Sequence, residues 1–403
     1  MIDASIAQIE TLLTRRGLSG AGELELLTTF CNACRQHGLT LGRAVIFMGT
    51  LHPIFEERAF RWDWKERVEA ISEYGADHAI SADSWRRTAL FHLESTGDSE
   101  VRRRIGFGDP LDFSGLKELA ETGHTDFVAF ACRFGNHGAI GDMDCFYAYF
   151  TTVDREGFSE GDLVALRRLV PQLALATKCV ALGGIAKTIA SVYLGEDAAS
   201  QVLHGEIVRG RATRIDAVIW YSDLEGFTRI SDTCDPNEII PLLNDYSEAV
   251  ISSVHEAGGS VLKLIGDGAL AIFKAPNPAT ACRAALQAHA RLRQKIPILN
   301  ARRQVEGRPA TDVYLGLHMG EVFYGNIGSL DRLDFTVVGR AVNEAARIAG
   351  LCHDHSADML MSDRFVSTVN DRFDTKLVSI GRHVLRGVAQ PMELFTIGNS
   401  NRL

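Results

Sequence analysis

Two aspartates in the second half of the chain each close an apolar, strand-like run beside a glycine. Asp223 follows residues 217–221 in Trp220-Tyr221-Ser222-Asp223-Leu224-Glu225-Gly226-Phe227-Thr228. Asp267 sits between Gly266 and Gly268, where residues 261–265 and 269–273 read as the two arms of a hairpin. An apolar run closed in this way must end there and change structure. If both runs belong to one sheet, the two carboxylates can share divalent cations about 3.5–4 Å apart. Taken alone, Asp223 reads equally as a helix cap, and Asp267 as ordinary turn chemistry. The pair is what points to a metal and a phosphate.

The sequence of 403 residues is too long for one core, so two domains and a connector are expected. A hydrophobic share of 46% and a charged share of 23% are those of a soluble globular protein. The net charge of −9 makes a poor match to nucleic acid. No basic N-terminal region leads into an apolar run, so no signal peptide is expected. The longest apolar stretch, residues 163–194, contains Arg167, Arg168, Pro171, Lys178 and Lys187, which argues against a clean span of about 20 apolar residues. These features predict a cytoplasmic protein with no membrane insertion. Of the eight cysteines only Cys31 and Cys34 are close. Leu26, Leu27, Phe30 and Cys34 fit one helical face, which favours packing over a redox pair or half a metal site.

The first part reads as mixed α and β. Helical spacing covers residues 5–37, and strand-like segments follow at 44–48, 127–134 and 145–153. Ser159 is an expected N-cap, with Asp162 three residues on as an imperfect capping box. From there Leu163, Leu166, Val170, Leu173 and Val180 form a narrow stripe. It suits either a second parallel helix or the helix's own sheet. Gly183-Gly184 is expected to interrupt this helix, with short helical runs at 185–193 and 197–204. In the second domain the expected order is a strand at 217–221, a helix at 237–257, the hairpin, and a helix at 279–292. Strands at 313–318, 321–326 and 335–338 and a helix at 343–351 follow. Asn343 and Arg347, four apart, share one face of that last helix, which the preceding strand and turn would aim inward. An arginine there suits charge developing on a phosphoryl group, although an exposed arginine is usually only solvated.

These motifs, in this order, resemble the class III adenylyl/guanylyl cyclase catalytic domain over residues of about 215–397. The matching segments are Tyr221-Ser222-Asp223-Leu224-Glu225-Gly226-Phe227-Thr228, Lys263-Leu264-Ile265-Gly266-Asp267, Gly316-Leu317-His318-Met319-Gly320, Val342-Asn343-Glu344-Ala345-Ala346-Arg347 and Leu385-Arg386-Gly387. The resemblance implies a ferredoxin-like domain with Asp223, Asp267 and the Leu224 main chain at two Mg²⁺ or Mn²⁺ ions per site. Gly226, Phe227 and Thr228 would line the substrate. Lys263 and Thr336 would read the purine, with lysine going with adenine and threonine marking a subgroup. Asn343 and Arg347 would orient the ribose and stabilise the transition state, and Arg386 would meet phosphate. Tyr314 departs from the pattern, since many members carry an arginine there. In the family each site lies between two catalytic domains, so a homodimer acting on ATP is implied.

Residues 1–180 resemble a GAF domain in outline. This gives an α/β (α+β) chain with a GAF-like sensor at 1–180, a helical coupling linker at 181–212 and the cyclase domain at 213–403. An unknown small-molecule or protein signal would act on the sensor. His52-Pro53 and the pair Trp62/Trp64 could line a pocket there, with core packing favoured. The expected activity is adenylyl cyclisation. A guanylyl or dual-purine cyclase, or an inactive nucleotide-binding regulator, stands as the alternative. No GxxxxGK[ST] occurs, against a P-loop NTPase. The Gly-Gly-Asp/Glu-Glu-Phe turn expected of a diguanylate-forming enzyme is also absent.

Overall fold

The structure, a computed structural model, describes residues 2–65, 68–75, 85–135, 140–141, 143–369, 377–388 and 390–398. It divides into two units, Met1–Ile189 and Ala190–Leu403.

In the first unit, helices α1 (Asp3–Leu18) and α2 (Glu23–Gln36) precede strands β1 (Leu41–Gly49), β2 (Glu57–Asp63) and β3 (Val68–Tyr74). Helix α3 (Ala89–Thr96), β4 (Glu100–Arg103), helix α4 (Leu116–Glu121), β5 (Asp126–Arg133) and β6 (Cys145–Thr152) follow. The six strands form one antiparallel sheet in the order β3-β2-β1-β6-β5-β4. The three strands expected from the sequence are the central β1, β5 and β6, whose side chains are almost all buried. The outer β2 and β4 went unread because they carry Glu57, Arg58 and Arg61, and Glu100, Arg102 and Arg103, which hide the apolar alternation.

Helix α5 (Glu160–Leu194) corrects the expected break at Gly183-Gly184, because it runs unbroken for 35 residues. Two mid-helix glycines cost about 1 kcal/mol each. Burial of the flanking Ala181 and Ile185 in the unit's core offsets that cost. The capping box forms as expected: Ser159 N–H donates to Asp162 Oδ2 at 3.1 Å, and Asp162 N–H to Ser159 Oγ at 3.2 Å. Leu163, Leu166, Val170 and Leu173 are buried in the core of their own unit, which α1 and α2 residues such as Ile9, Leu13 and Phe30 share, so the stripe packs within that unit. Among the described residues α5 is the one helix long and apolar enough to cross a membrane, and 44% of its most apolar window is buried. Cys31 and Cys34 are buried and free on α2, and burial pushes both thiols well up, as for small core hydrophobes. Trp62 is core, and Arg35 lies 3.9 Å over the exposed Trp64 ring. His52 stacks on Phe55 at the edge of a cleft of about 240 Å³ that also meets Glu23, Arg58 and Glu73.

The second unit opens with α6 (Glu196–Leu203) and β7 (Ala212–Leu224), then α7 (Phe227–Thr233) and α8 (Pro236–Glu256). The hairpin β8 (Ser260–Ile265) and β9 (Gly268–Phe273) leads to α9 (Pro278–Val305) and β10 (Val313–Gly328). Next come β11 (Leu333–Val338), α10 (Arg340–Ala349), β12 (Met359–Ser362), α11 (Asp363–Val369), β13 (Leu377–His383) and β14 (Met392–Ile397). The sheet order β13-β14-β12-β10-β7-β9-β8 contains β10-β7-β9-β8, all antiparallel. With α8 and α9 as crossovers this is a βαββαβ, ferredoxin-like arrangement, as expected.

Strand β10 corrects the expected pair of strands. It pairs with β7 without a break from Val313↔Leu224 to Gly325↔Ala212, through Met319 and Gly320. Gly320 is there for close packing rather than for a turn: a Cβ on it would lie 2.5 Å from Ala341 Cβ. Gly316 is similar, since its Cβ would lie 2.4 Å from Ala345 O. The two glycines thus let α10 seat directly on β10.

Candidate active site

Strand β7 carries Asp223 one residue from its end, and Asp267 occupies the β8–β9 turn after Gly266 at φ 61°. The pairing of β7 with β9 brings the two together. A Cβ on Gly268 would lie 2.1 Å from Ser222 O and 3.1 Å from Asp223 Oδ1, so only glycine lets the turn come this close. Leu224 N–H donates to Asp267 Oδ2 at 3.2 Å. The two carboxylates lie within hydrogen-bonding reach of each other, and partial burial together with the Asp267 charge pushes the Asp223 carboxyl up to about 7. This crowding of acceptor-only oxygens fits a hard divalent cation, which takes carboxylate, carbonyl, water and phosphate oxygens. Among the described residues no group of three or more His, Cys, Asp or Glu could hold a metal. The remaining donors would therefore be main chain, water and substrate.

The loop after Asp223 is pinned from below. Glu225 N–H donates to Asp312 O at 2.8 Å, and Tyr314 Oη donates to Glu225 Oε1 at 2.7 Å. Tyr314 thus anchors this loop from the position where the resemblance expects an arginine. Gly226 has φ 63°, and Phe227 and Thr228 open the short helix α7.

Asn343 and Arg347 lie on one face of α10, and that face is exposed in the single chain rather than aimed inward as expected. Ala341, Glu344, Ala345, Ile348 and Ala349 form the buried face instead. Among the described residues neither Asn343 nor Arg347 makes a side-chain hydrogen bond or ion pair. Tyr221 lies within electrostatic reach of Asp223, Asp267 and Arg347. Arg386 is exposed between β13 and β14, at the sheet edge opposite β8, and is not brought to the aspartates.

Lys263 is on β8 and Thr336 on β11, which pairs with β10 and packs against β8. The Thr336 hydroxyl is buried without a hydrogen-bond partner. The Lys263 ammonium is ion-paired with Asp334, a partner the sequence reading missed. Its local signal was its position two residues before Thr336, on the same strand face.

His318, in the Gly-x-His-x-Gly segment, is buried. Its Nδ1 lies 2.8 Å from Ser362 Oγ and its Nε2 3.1 Å from Glu344 Oε2, while Arg340 Nε donates to Glu344 Oε1 at 2.7 Å. Burial holds the imidazole below its ordinary value of 6.5, opposed by Glu344 and Asp363 and aided by Arg364 and Arg340. The unfolded chain therefore takes up this proton first, and stability is lost as the pH falls through 6.5. Asp223, raised to about 7, acts in the opposite direction over the same range, so the unfolding midpoint of wild type is expected to drop relative to that of His318→Gln between about pH 7.5 and about pH 5.5. An equal drop in the variant would place the effect elsewhere.

A ferredoxin-like domain with paired strand-end carboxylates and a glycine-seated helix is what the fold and the site define. Residues 211–399 match the family described as "Adenylate and Guanylate cyclase catalytic domain". The C-terminal unit is a class III cyclase catalytic domain. The chain is similar to an adenylate cyclase of Anabaena cylindrica, 34% identical over 175 residues, which cover 42% of this chain and 34% of that protein. It is also similar to adenylate cyclase 1 of Rhizobium meliloti, 26% identical over 194 residues, covering 47% of this chain and 28% of that protein. The chain thus spans about a third of the length of these curated relatives. The crystal structure of the adenylyl cyclase CyaB from P. aeruginosa aligns at 24% identity with a TM-score of 0.43, covering 48% of this chain and 98% of that one.

Proposed function

We propose that this protein converts ATP to 3′,5′-cyclic AMP and pyrophosphate, as a homodimer whose two sites are each shared between subunits. The observation that carries this reading is the division of the site. Asp223 and Asp267 converge at one end of β7 and of the β8–β9 hairpin, while Asn343 and Arg347 stand exposed on the outer face of α10 with no side-chain hydrogen bond or ion pair among the described residues. Exposed apolar side chains at Leu264, Ile265, Phe323, Leu333 and Val338 flank Lys263 and Thr336 and support burial against a second copy.

In this reading Asp223, Asp267 and the Leu224 main chain hold two Mg²⁺ or Mn²⁺ ions from one subunit. When bound, the ions supply charge neutralisation at the phosphates and a lowered pKa for the ribose 3′-hydroxyl. The turn at Gly226, Phe227 and Thr228 gives the triphosphate close access to main-chain N–H groups. The partner's α10 presents Asn343 to the ribose and Arg347 to the α-phosphoryl oxygens as charge builds on them. Because Arg386 is not brought to the aspartates of its own domain, a cation toward the phosphates would come from Arg386 of the partner subunit. The 3′-hydroxyl gives its proton to solvent, its oxygen bonds to the α-phosphorus, the bond from that phosphorus to the bridging oxygen breaks, and pyrophosphate leaves with that electron pair. Lys263, donor only, favours N1 of adenine over the N1–H of guanine.

The test is the purified chain with ATP or GTP and either metal, products separated by chromatography. Cyclic AMP as the main product is expected. Cyclic GMP as the main product would favour the guanylyl alternative, and no cyclic product the inert regulator. We further propose that the unit of residues 1–180, GAF-like in outline, regulates the reaction through the connector in the cytoplasm. Removing residues 1–180 is expected to change basal rate, and an unchanged rate and response would remove this role.

A further inference from the structure

The segment that enters β10 is held by both crossover helices. Thr311 N–H donates to the hydroxyl of Tyr246 on α8 at 2.7 Å, and the Thr311 carbonyl accepts from Nδ2 of Asn300 on α9 at 2.8 Å. Tyr246 is fully buried, and its hydroxyl donates in turn to Asn300 Oδ1. Arg303, also fully buried, donates from Nε to Pro309 O at 2.6 Å, and Arg293 Nη1 pairs with Asp312 Oδ1 at 2.6 Å. What this clamp presents to the loop after Asp223 is the Thr311 hydroxyl, which donates to Glu225 O at 2.5 Å. Since Glu225 N–H is tied to Asp312 O, both polar backbone atoms of Glu225 end on two adjacent residues of the clamp.

A trans peptide sets its C=O and N–H on opposite sides. With the Glu225 carbonyl drawn to Thr311, the next N–H, that of Gly226, faces the other way. Gly226 is exposed, and among the described residues its N–H makes no hydrogen bond. An unpaired main-chain N–H three residues after Asp223 is a donor for a phosphate oxygen. We infer that Thr311 is a positioning residue for the triphosphate: by holding the Glu225 carbonyl, it turns the Gly226 N–H toward the two phosphates that leave as pyrophosphate. The inference rests on the cyclase reading above and deepens it. Without the hydroxyl the 225–226 peptide is free to rotate, and those phosphates lose one preoriented donor. Loss of one such hydrogen bond is expected to weaken binding about tenfold. The weakening falls on ligands that carry the leaving phosphates and spares cyclic AMP, which lacks them.

The experiment measures three constants on the full-length chain: KM for ATP and the inhibition constants of the two products, pyrophosphate and cyclic AMP. Thr311→Val should raise KM and the pyrophosphate constant together, about tenfold, and leave the cyclic AMP constant unchanged, with a smaller change in kcat. Thr311→Ser, which keeps the hydroxyl, should restore both raised constants. Tyr246→Phe removes the acceptor of the Thr311 N–H and should move the same two constants in the same direction while sparing the third. Unfolding midpoints identify a variant that merely fails to fold, and Tyr246→Phe then carries the test. Unchanged constants in Thr311→Val, an equal rise in both product constants, or a Thr311→Ser as impaired as Thr311→Val overturns the assignment and leaves the cyclase reading intact. A wild type that makes no cyclic nucleotide overturns both.

Discussion

Replacing Asp223 with asparagine is expected to lower cyclase activity about 10³-fold or more, with the fold retained. The loss follows from the geometry of the strand ends. Asp223 and Asp267 are within reach of each other because Gly268 lets the β8–β9 turn press against β7. Together they make a dianionic oxygen cluster that a divalent cation neutralises. Asparagine keeps the shape but removes half that charge and one acceptor oxygen. Cation assistance is worth several kcal/mol of transition-state charge stabilisation, and about 4 kcal/mol corresponds to about 10³ in rate. Removing the carboxylate also relieves the crowding that pushes its pKa up to about 7, so the metal-free variant should be no less stable than wild type. The check is a steady-state assay with Mg²⁺ and with Mn²⁺ beside a thermal melt. Activity within tenfold of wild type would remove Asp223 from the metal site.

Arg347→Ala is expected to cost about 10²–10³ in kcat, with a smaller change in KM. A preorganised cation aimed at charge that develops only in the transition state acts on kcat in this way. The residue is well placed for such a role, because the buried face of α10 is fixed while Arg347 makes no side-chain hydrogen bond or ion pair among the described residues. Gly316 and Gly320 bring the helix onto β10, and the His318–Glu344–Arg340 contacts hold its first turns. Truncating Arg347 leaves those contacts intact, so the melting temperature should hardly move. A rise in KM with kcat unchanged would assign Arg347 to ground-state binding instead.

What the sequence disclosed and what it hid separate by range. The strand ends at Asp223 and Asp267, the glycine-flanked turn between β8 and β9, and the shared face of Asn343 and Arg347 are all encoded within a few residues. So is the Ser159–Asp162 cap. The misses are contacts between distant segments. Gly320 reads as a turn until Ala341 is seen against it, and Gly183-Gly184 reads as a break until Ala181 and Ile185 are seen buried on either side. Asp334 lies 71 residues from the lysine it holds, and the only local cue was its place two residues before Thr336 on the same strand face. Tyr314 reads as a missing arginine, whereas it anchors Glu225 from the neighbouring strand. The face carrying Arg347 was read as aimed inward because sequence reports an amphipathic helix without saying which of its faces the sheet covers.

The measurement that bears most directly on a site divided between subunits is a mixing experiment. Asp223→Asn and Arg347→Ala proteins are combined in equal amounts, under conditions where exchange is confirmed with differently tagged subunits. Each is nearly inactive alone. Random exchange makes about half the dimers mixed, and each mixed dimer contains one site with its full set of side chains, so about a quarter of wild-type activity should return. No recovery despite demonstrated exchange would mean that one chain supplies all the residues of its own site.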